Sequence, residues 1–270
     1  MKPETAAAAA PELLVEESGG VMTLTLNRPE VLNSLTHAMM RGLMASLKKA
    51  EKDKNIRCVI LTAAGRAFCA GADLGDLKKR QADKPLSFGE ELRRHFNPLV
   101  LQIRRMEKPV IGAVNGLAAG AGASIILSTD IKIASQEAKF ISAFVRVGLV
   151  PDSGITYFMP RFLGLSLALE RAWTAKPVTA EEALRFGWVN RVVPPEQVLS
   201  AAKEMAAELL KAPPLAVALT KRAMNRSLEN DLEGQMEYEA QLQEVLGKTK
   251  DHQEGVAAFL EKRPPQWRGE

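Results

Sequence analysis

An uncharged stretch at residues 110–127 constrains the fold most, because 18 residues without a charge lie either in a membrane or in a protein core. Glycines at positions 116 and 120 imitate the spacing that pairs helices in membranes. Pro109 and β-branched residues open the stretch, however, and the glycines fall where a strand would end. We therefore expect a buried strand, a turn and a buried helix here, and no membrane partner.

Strand and helix patterns alternate through the first 190 residues. Residues 21–26 alternate in polarity, residues 57–62 and 109–114 are apolar runs, and residues 131–134 and 139–141 are shorter ones. Apolar side chains recur every four residues over 35–50, which predicts a helix with one buried stripe. Thr179 is typical of a helix start and Gly187 of a helix end. The alternation predicts an α/β core.

Only helical patterns follow Pro194 and Pro195, over residues 196–212, 215–228, 232–247 and 252–262. We therefore place a domain boundary near residue 195. Residues 1–11, which include five consecutive alanines, are predicted to be a disordered tail. Residues 12–195 are predicted to form the α/β core, and residues 196–270 a helical C-terminal region.

Composition argues against several classes of partner. The chain has 36 Lys and Arg against 32 Asp and Glu and only 5% aromatic residues, whereas nucleic-acid binders show a dense basic stripe with aromatics. The opening residues lack the apolar core of a secretory signal, and Cys58 and Cys69 are too few for a disulfide framework, so we expect a cytoplasmic location. His37, His95 and His252 are scattered and offer no metal-ligand spacing, so no metal site is expected.

Two glycine-rich segments directly follow predicted strands. They read AFCAGADL at 67–74 and NGLAAGAGAS at 115–124. Neither fits a phosphate-binding fingerprint, because the lysine and the third glycine are missing. Both can expose backbone N–H groups, and two such donors on one carbonyl oxygen would form an oxyanion hole, each worth about 3 kcal/mol of transition-state stabilisation. Alternatively, the small residues only permit close packing.

Together with four further motifs, these segments resemble the enoyl-CoA hydratase/isomerase (crotonase) superfamily. The motifs are NRPEVLNSL at 27–35, KPVIGAVNG at 108–116, VGLVPDSG at 147–154 and AAFLEKR at 257–263. The resemblance implies a spiral of ββα units capped by C-terminal helices that associate as homotrimers or dimers of trimers. It also implies an acyl-CoA thioester as substrate and no separate cofactor, since the CoA enters as part of the substrate.

The resemblance further implies roles for particular residues. The oxyanion-hole donors fall on the backbone N–H groups of Ala72 and Ala121. The CoA-binding positions are Ala70, Gly71, Asp73, Leu74, Phe259 and Lys262. In the family the first four contact the adenine end, and the last two reach the CoA of a neighbouring subunit. Lys262 is equally consistent with a solvated lysine at a helix end.

The sequence departs from the hydratase pattern at two positions of the acyl pocket. Hydratases of the family carry two glutamates that activate water and supply the α-proton, and the matching residues here are Ser124 and Phe144. Serine has no suitable pKa and phenylalanine has no proton to transfer. Efficient hydration through the usual pair is therefore not expected.

Asp152 is the remaining candidate acid/base. Its segment is similar to that of the 1,2-epoxyphenylacetyl-CoA isomerase subgroup, in which this aspartate transfers the proton. One carboxylate can move a proton between two carbons, which is isomerisation. We expect Phe144, Val145 and Ile155 to enclose Asp152 and raise its pKa. Alternatively, it only forms a type I turn and caps a helix.

The sequence therefore indicates an acyl-CoA isomerase that shifts a double bond or opens an epoxide ring. Three alternatives stay open: an enoyl-CoA hydratase of low activity, a hydrolase or ring-cleaving relative, and a non-catalytic acyl-CoA-binding homologue.

Overall fold

The strands form two sheets in a computed structural model that describes residues 10–83 and 87–270. The five predicted strands are present, and five more occur within these residues. The strands are β1 (Leu13–Ser18), β2 (Val21–Leu26), β3 (Cys58–Ala63), β4 (Ala67–Cys69), β5 (Val110–Val114), β6 (Leu117–Ala119), β7 (Ile131–Ser135), β8 (Lys139–Ile141), β9 (Val178–Thr179) and β10 (Arg191–Val193). The larger sheet has the order β1-β2-β3-β5-β7-β10, and the smaller one β4-β6-β8-β9. All neighbouring strands are parallel except β1 with β2 and β8 with β9.

From β3 to β8, consecutive strands alternate between the two sheets, which makes this part of the chain a spiral. In the pairs β3–β4, β5–β6 and β7–β8, the first strand joins the larger sheet and the second the smaller one. A helix follows each pair. The helices are α1 (His37–Lys52), α2 (Leu74–Asp83), α3 (Phe88–Glu91), α4 (Asn97–Arg105), α5 (Ala121–Ser128), α6 (Ile155–Leu163), α7 (Leu165–Thr174), α8 (Ala180–Arg185), α9 (Val198–Leu210), α10 (Pro214–Arg226), α11 (Leu232–Leu246) and α12 (Lys250–Glu261). The predicted α/β spiral of ββα units is confirmed.

The central strands of the larger sheet are buried on both faces, whereas its edge strand β1 is mostly exposed. Every residue of β3 and β5 is buried, as expected for parallel strands covered on two sides. On one face, Val198, Ala202 and Ala206 of α9 pack against Ile60 and other apolar residues of the central strands. The main core lies on the other face. The first C-terminal helix thus packs on the sheet, and the domain boundary near residue 195 stays a prediction.

The uncharged stretch contains the predicted buried strand, β5, and the predicted buried helix, α5, and between them it forms a second strand, β6, where only a turn was predicted. All eight residues of α5 are buried. Across residues 10–83 and 87–270, no helix is long and apolar enough to cross a membrane. Residues 1–9 of the predicted tail lie outside the described residues, and the carbonyl oxygen of Pro11 accepts a hydrogen bond from the Asn27 amide at 2.9 Å.

The helix predicted from residue 35 begins two residues later, at His37. The hydroxyl of Thr36 accepts the N–H of Met39 at 3.0 Å and caps the helix. Leu35 instead forms a parallel bridge with Ala72. The apolar repeat correctly predicted the buried face of α1, which includes Met39, Leu43 and Leu47. The helix starts later than predicted because Leu35 pairs with a residue 37 positions further along the chain. This pairing matters for the candidate site.

Candidate active site

The two glycine-rich segments meet where β4 and β6 end. Gly71 has a φ of +103°, and a Cβ built there would lie 3.1 Å from the carbonyl oxygen of Ala119 and 3.6 Å from the nitrogen of Ala121. Glycine is therefore needed both for the positive φ and for this approach of two backbones. The approach brings the segment that carries Ala72 against the segment that carries Ala121, at the ends of β4 and β6.

Both amides are held with their N–H groups unpaired. Leu35 donates to the oxygen of Gly71 at 2.8 Å and accepts from the nitrogen of Asp73 at 3.0 Å, so the N–H of the intervening Ala72 points away from this bridge. Ala121 is the first residue of α5, where backbone N–H groups have no helical acceptor. Neither N–H donates to an acceptor within residues 10–83 and 87–270. Both N–H groups are available to a ligand, and their assignment as an oxyanion hole stays a prediction.

An anchored aspartate holds the first of these segments. The carboxylate of Asp73 accepts hydrogen bonds from Arg28 at 2.8 Å, from Ser34 at 3.2 Å, and from the N–H groups of Gly75 and Asp76 at 2.9 and 3.1 Å. Burial alone would raise the pKa of Asp73, but the bonds from Arg28 and Asp76 outweigh it and lower the pKa. Because this carboxylate is committed to the protein, a ligand at the predicted CoA-binding positions 70–74 would meet mainly backbone there.

Asp152 lies in a tight turn before α6. Its carbonyl oxygen accepts the N–H of Ile155 at 3.1 Å, and the central residues Ser153 and Gly154 have φ values of +53° and +83°. Two positive φ values are the pattern of a type I′ turn, so the alternative of a type I turn is wrong. Asp152 does not cap the helix either, since α6 has Gly154 at its N-cap and no side-chain cap. The carboxylate is therefore not engaged by the helix.

The carboxylate of Asp152 has one donor and a mostly apolar setting. Its Oδ1 accepts the Ser153 hydroxyl at 2.7 Å, and its other oxygen has no donor in the described part of the chain. Burial raises the pKa of Asp152, and the Ser153 hydrogen bond opposes this shift. Phe144 and Ile155 are buried as expected, but Val145 is 41% exposed and does not enclose the site. A half-buried carboxylate of this kind suits proton transfer.

The two positions where hydratases carry glutamate surround the start of α5. The hydroxyl of Ser124 is buried and donates to the carbonyl oxygens of Asp152 at 3.0 Å and Gly120 at 3.3 Å. The Cζ atom of Phe144 lies 3.9 Å from the position of a Cβ on Gly120. Ser124 therefore ties the turn of Asp152 to the segment that carries Ala121, a positioning role that its residue type did not reveal.

The remaining predicted CoA-binding residues lie at the C-terminal end of α12. Phe259 is 84% exposed, and Lys262 is an exposed C-cap with a φ of +55°. Phe259 borders an apolar groove of about 510 Å³ that also contacts Leu260 and Trp267. Both side chains are available to a ligand or to another subunit, and their roles stay predictions.

Sequence reasoning missed a cluster at the start of α1. The rings of His37 and His95 are 3.9 Å apart between centroids, and Nε2 of His37 lies 2.7 Å from Oε2 of Glu91. The expectation that the histidines stay scattered is therefore wrong for two of them. Glu91 and His95 are four residues apart, which places them on the same face of a helix. The sequence analysis looked for two histidines at this spacing and therefore missed a glutamate paired with a histidine.

Comparisons with known proteins agree with this geometry. The family model described as Enoyl-CoA hydratase/isomerase matches residues 16–270. The 1,2-epoxyphenylacetyl-CoA isomerase of Escherichia coli K12 is 44% identical, with 93% of this chain and 95% of that protein covered. The short-chain-enoyl-CoA hydratase of Clostridium acetobutylicum is 36% identical, with 93% of this chain and 95% of that protein covered.

Solved structures support the same assignment. The enoyl-CoA hydratase of Bacillus anthracis superposes with a TM-score of 0.88 at 33% identity, over 96% of this chain and all of that one. The family model spans nearly the whole chain, and two relatives exceed 30% identity over most of their length. The chain therefore belongs to the enoyl-CoA hydratase/isomerase family.

Proposed function

We propose that this chain is an acyl-CoA isomerase that shifts a double bond or opens an epoxide ring through an enolate. The thioester oxygen binds the N–H groups of Ala72 and Ala121, and Asp152 is the acid/base. The observation that carries the proposal is the half-buried carboxylate of Asp152, which caps no helix, in a site where the family's other two acid/base positions are Ser124 and Phe144.

The chemistry for a 3-enoyl thioester follows from these three groups. The ionised Asp152 removes a proton from C2, and the electron pair moves onto the thioester oxygen to give a dienolate. The two N–H groups stabilise this negative charge as it forms. Protonated Asp152 then returns the proton to C4, and the electron pair re-forms the carbonyl. The double bond has moved from C3–C4 to C2–C3 without the addition of water.

The similarity to the Escherichia coli isomerase supports an epoxide as a second substrate class. The same polarised thioester would assist opening of an epoxide ring attached through C2. Turnover of a 3-enoyl-CoA and of 1,2-epoxyphenylacetyl-CoA by the purified chain distinguishes the two substrates. A chain that converts neither compound would contradict the proposal.

Asp152→Asn tests the acid/base role directly. The amide keeps the size of the side chain but accepts no proton, so we expect double-bond shift to fall by about 10²- to 10⁴-fold. Asp231→Asn is the matched control, since Asp231 caps α11 by accepting the N–H of Gly234 at 2.8 Å and asparagine caps equally well. Unchanged turnover in Asp152→Asn, with acyl-CoA still bound, would refute the role.

The family's CoA contacts belong to the same proposal. We assign the adenine end of CoA to the backbone at Ala70, Gly71, Asp73 and Leu74, and a CoA contact of a neighbouring subunit to Phe259 and Lys262. The exposed apolar side chains of Val256, Phe259 and Leu260 on α12 support assembly into homotrimers or dimers of trimers. The two buried free thiols, Cys58 and Cys69, support a reducing, cytoplasmic location.

A hydratase of low activity is the second candidate, favoured by the names of several relatives, including the Clostridium acetobutylicum enzyme. Loss of the conjugated absorbance of crotonyl-CoA measures hydration, and free thiol release measures hydrolysis. A non-catalytic homologue would bind acyl-CoA without exchanging its C2 protons into deuterated solvent. The isomerase proposal expects exchange, with hydration much slower than double-bond shift.

A further inference from the structure

We infer that His37, Glu91 and His95 form a binding site for a divalent transition-metal ion of the zinc type. None of these three residues has a part in the proposed isomerase chemistry. One ligand atom from each of the three side chains lies within 4.8 Å of the other two. Imidazole nitrogen and carboxylate oxygen are the donors that zinc and its neighbours in the first transition row accept.

The observed distances are close to those that a metal ion requires. Ligand bonds of about 2.0–2.2 Å in a tetrahedral site place the donor atoms roughly 3.3–3.6 Å apart. His37 Nε2 and Glu91 Oε2, at 2.7 Å, would separate slightly on binding, while donors as far apart as 4.8 Å would approach. Both adjustments are of about 1 Å and lie within the range of side-chain rotation.

The local backbone supports a built site rather than a chance encounter of side chains. A five-residue π-helical turn, Leu92–Phe96, carries His95 and directly follows Glu91. Such turns are rare and occur frequently at functional sites. His37 comes from the first turn of α1, so the ligands arrive from two elements that are distant in sequence. A metal ion there would cross-link α1 to the α3–π segment.

The burial and charge of the cluster also favour a cation. The side chains of His37 and Glu91 are only 16% and 15% exposed. The rings of His37 and His95 lie 3.9 Å apart between centroids and their donor atoms lie near the Glu91 carboxylate, so the cluster offers two imidazoles and one carboxylate to a cation. Three protein ligands leave a fourth position for water or another small ligand.

Binding of Co²⁺, a spectroscopic substitute for Zn²⁺, tests the inference. We expect one equivalent per chain, with visible d–d absorption, and displacement of Co²⁺ by Zn²⁺. His37→Ala and His95→Ala should each weaken binding by at least about tenfold, as ligand-sphere changes do. His252→Ala is the control, because His252 is the remaining histidine and is exposed; it should bind like the unaltered chain.

A second measurement separates metal binding from folding. Zn²⁺ should raise the Tm of the unaltered chain and of His252→Ala, but not of the two ligand variants. Glu91→Gln, which keeps the size of the side chain, replaces any alanine variant that does not fold. Absence of stoichiometric Co²⁺ binding, undiminished binding in the folded ligand variants, or the charge-transfer bands of a cysteine-bound ion would overturn the inference.

Discussion

Gly122→Ala tests whether the spacing of the two amides controls activity. Gly122 follows Ala121 in α5 and faces β4, which leads into Ala72. A Cβ at position 122 would lie 2.5 Å from the carbonyl oxygen of Cys69, although ordinary contacts begin at 3.4 Å. The obstructing atom is backbone, so no side-chain rotation relieves the clash, and one segment must move.

The structure sets the size of the effect. Relief of the clash requires a displacement of about 0.9 Å, the difference between those two distances. Ala121 directly precedes Gly122, and Ala72 lies three residues after Cys69. The separation of the Ala72 and Ala121 amides therefore changes whether α5 or β4 moves. Loss of one oxyanion donor lowers kcat by about 10²- to 10³-fold, and overpacking costs about 1–3 kcal/mol of stability.

The assay compares kcat for double-bond shift with the free energy of unfolding in urea. Gly42→Ala is the matched control: Gly42 lies inside α1, and its Cβ would meet only the Leu13 side chain, with Cδ2 at 3.2 Å and Cβ at 3.9 Å. We expect this variant to retain full activity, because the end of a leucine side chain can move by the few tenths of an ångström that the new Cβ requires. A Gly122→Ala enzyme that folds and retains kcat would refute the reasoning that these amides bind the developing enolate.

Two further changes test the surroundings of the site. Ser153→Ala removes the hydrogen bond that opposes the raised pKa of Asp152, so that pKa should rise further. Because the reaction needs the ionised carboxylate, the acid limb of the pH profile of kcat/KM should move to higher pH. An acid limb that stays in place or moves to lower pH would contradict this prediction. Asn33 is fully buried, and its amide donates to the carbonyl oxygens of Ala64 and Ala67 at 2.8 Å each. Asn33→Ala leaves both oxygens without this donor, so the free energy of unfolding measured in urea should fall by about 3 kcal/mol. A loss below about 1 kcal/mol would mean that other groups satisfy those carbonyls.

Local patterns predicted the parts of the candidate site. Apolar and alternating runs predicted β2, β3, β5, β7 and β8 but missed the other strands. The glycines after β3 and β5 marked where small residues are required. Thr179 was predicted to cap a helix, and it forms a capping box with Glu182. These features depend on interactions between residues only a few positions apart, so they can be predicted from the local sequence. The resemblance to the family added the candidate roles of Ala72, Ala121 and Asp152.

By itself, the sequence determined the strand and helix periods, the glycine positions and the identity of the acid/base candidates. The tertiary structure decided which groups remain available. The bridge from Leu35 leaves the Ala72 N–H unpaired, the positive φ values after Asp152 keep its carboxylate away from the helix, and His37 reaches His95 across 58 residues. The Leu35 bridge and the contact between the two histidines depend on pairing or packing between distant segments, where many partners compete and only the folded chain selects among them. The turn at Asp152 is local, but the Ser124 hydroxyl of α5 binds it from 28 residues away.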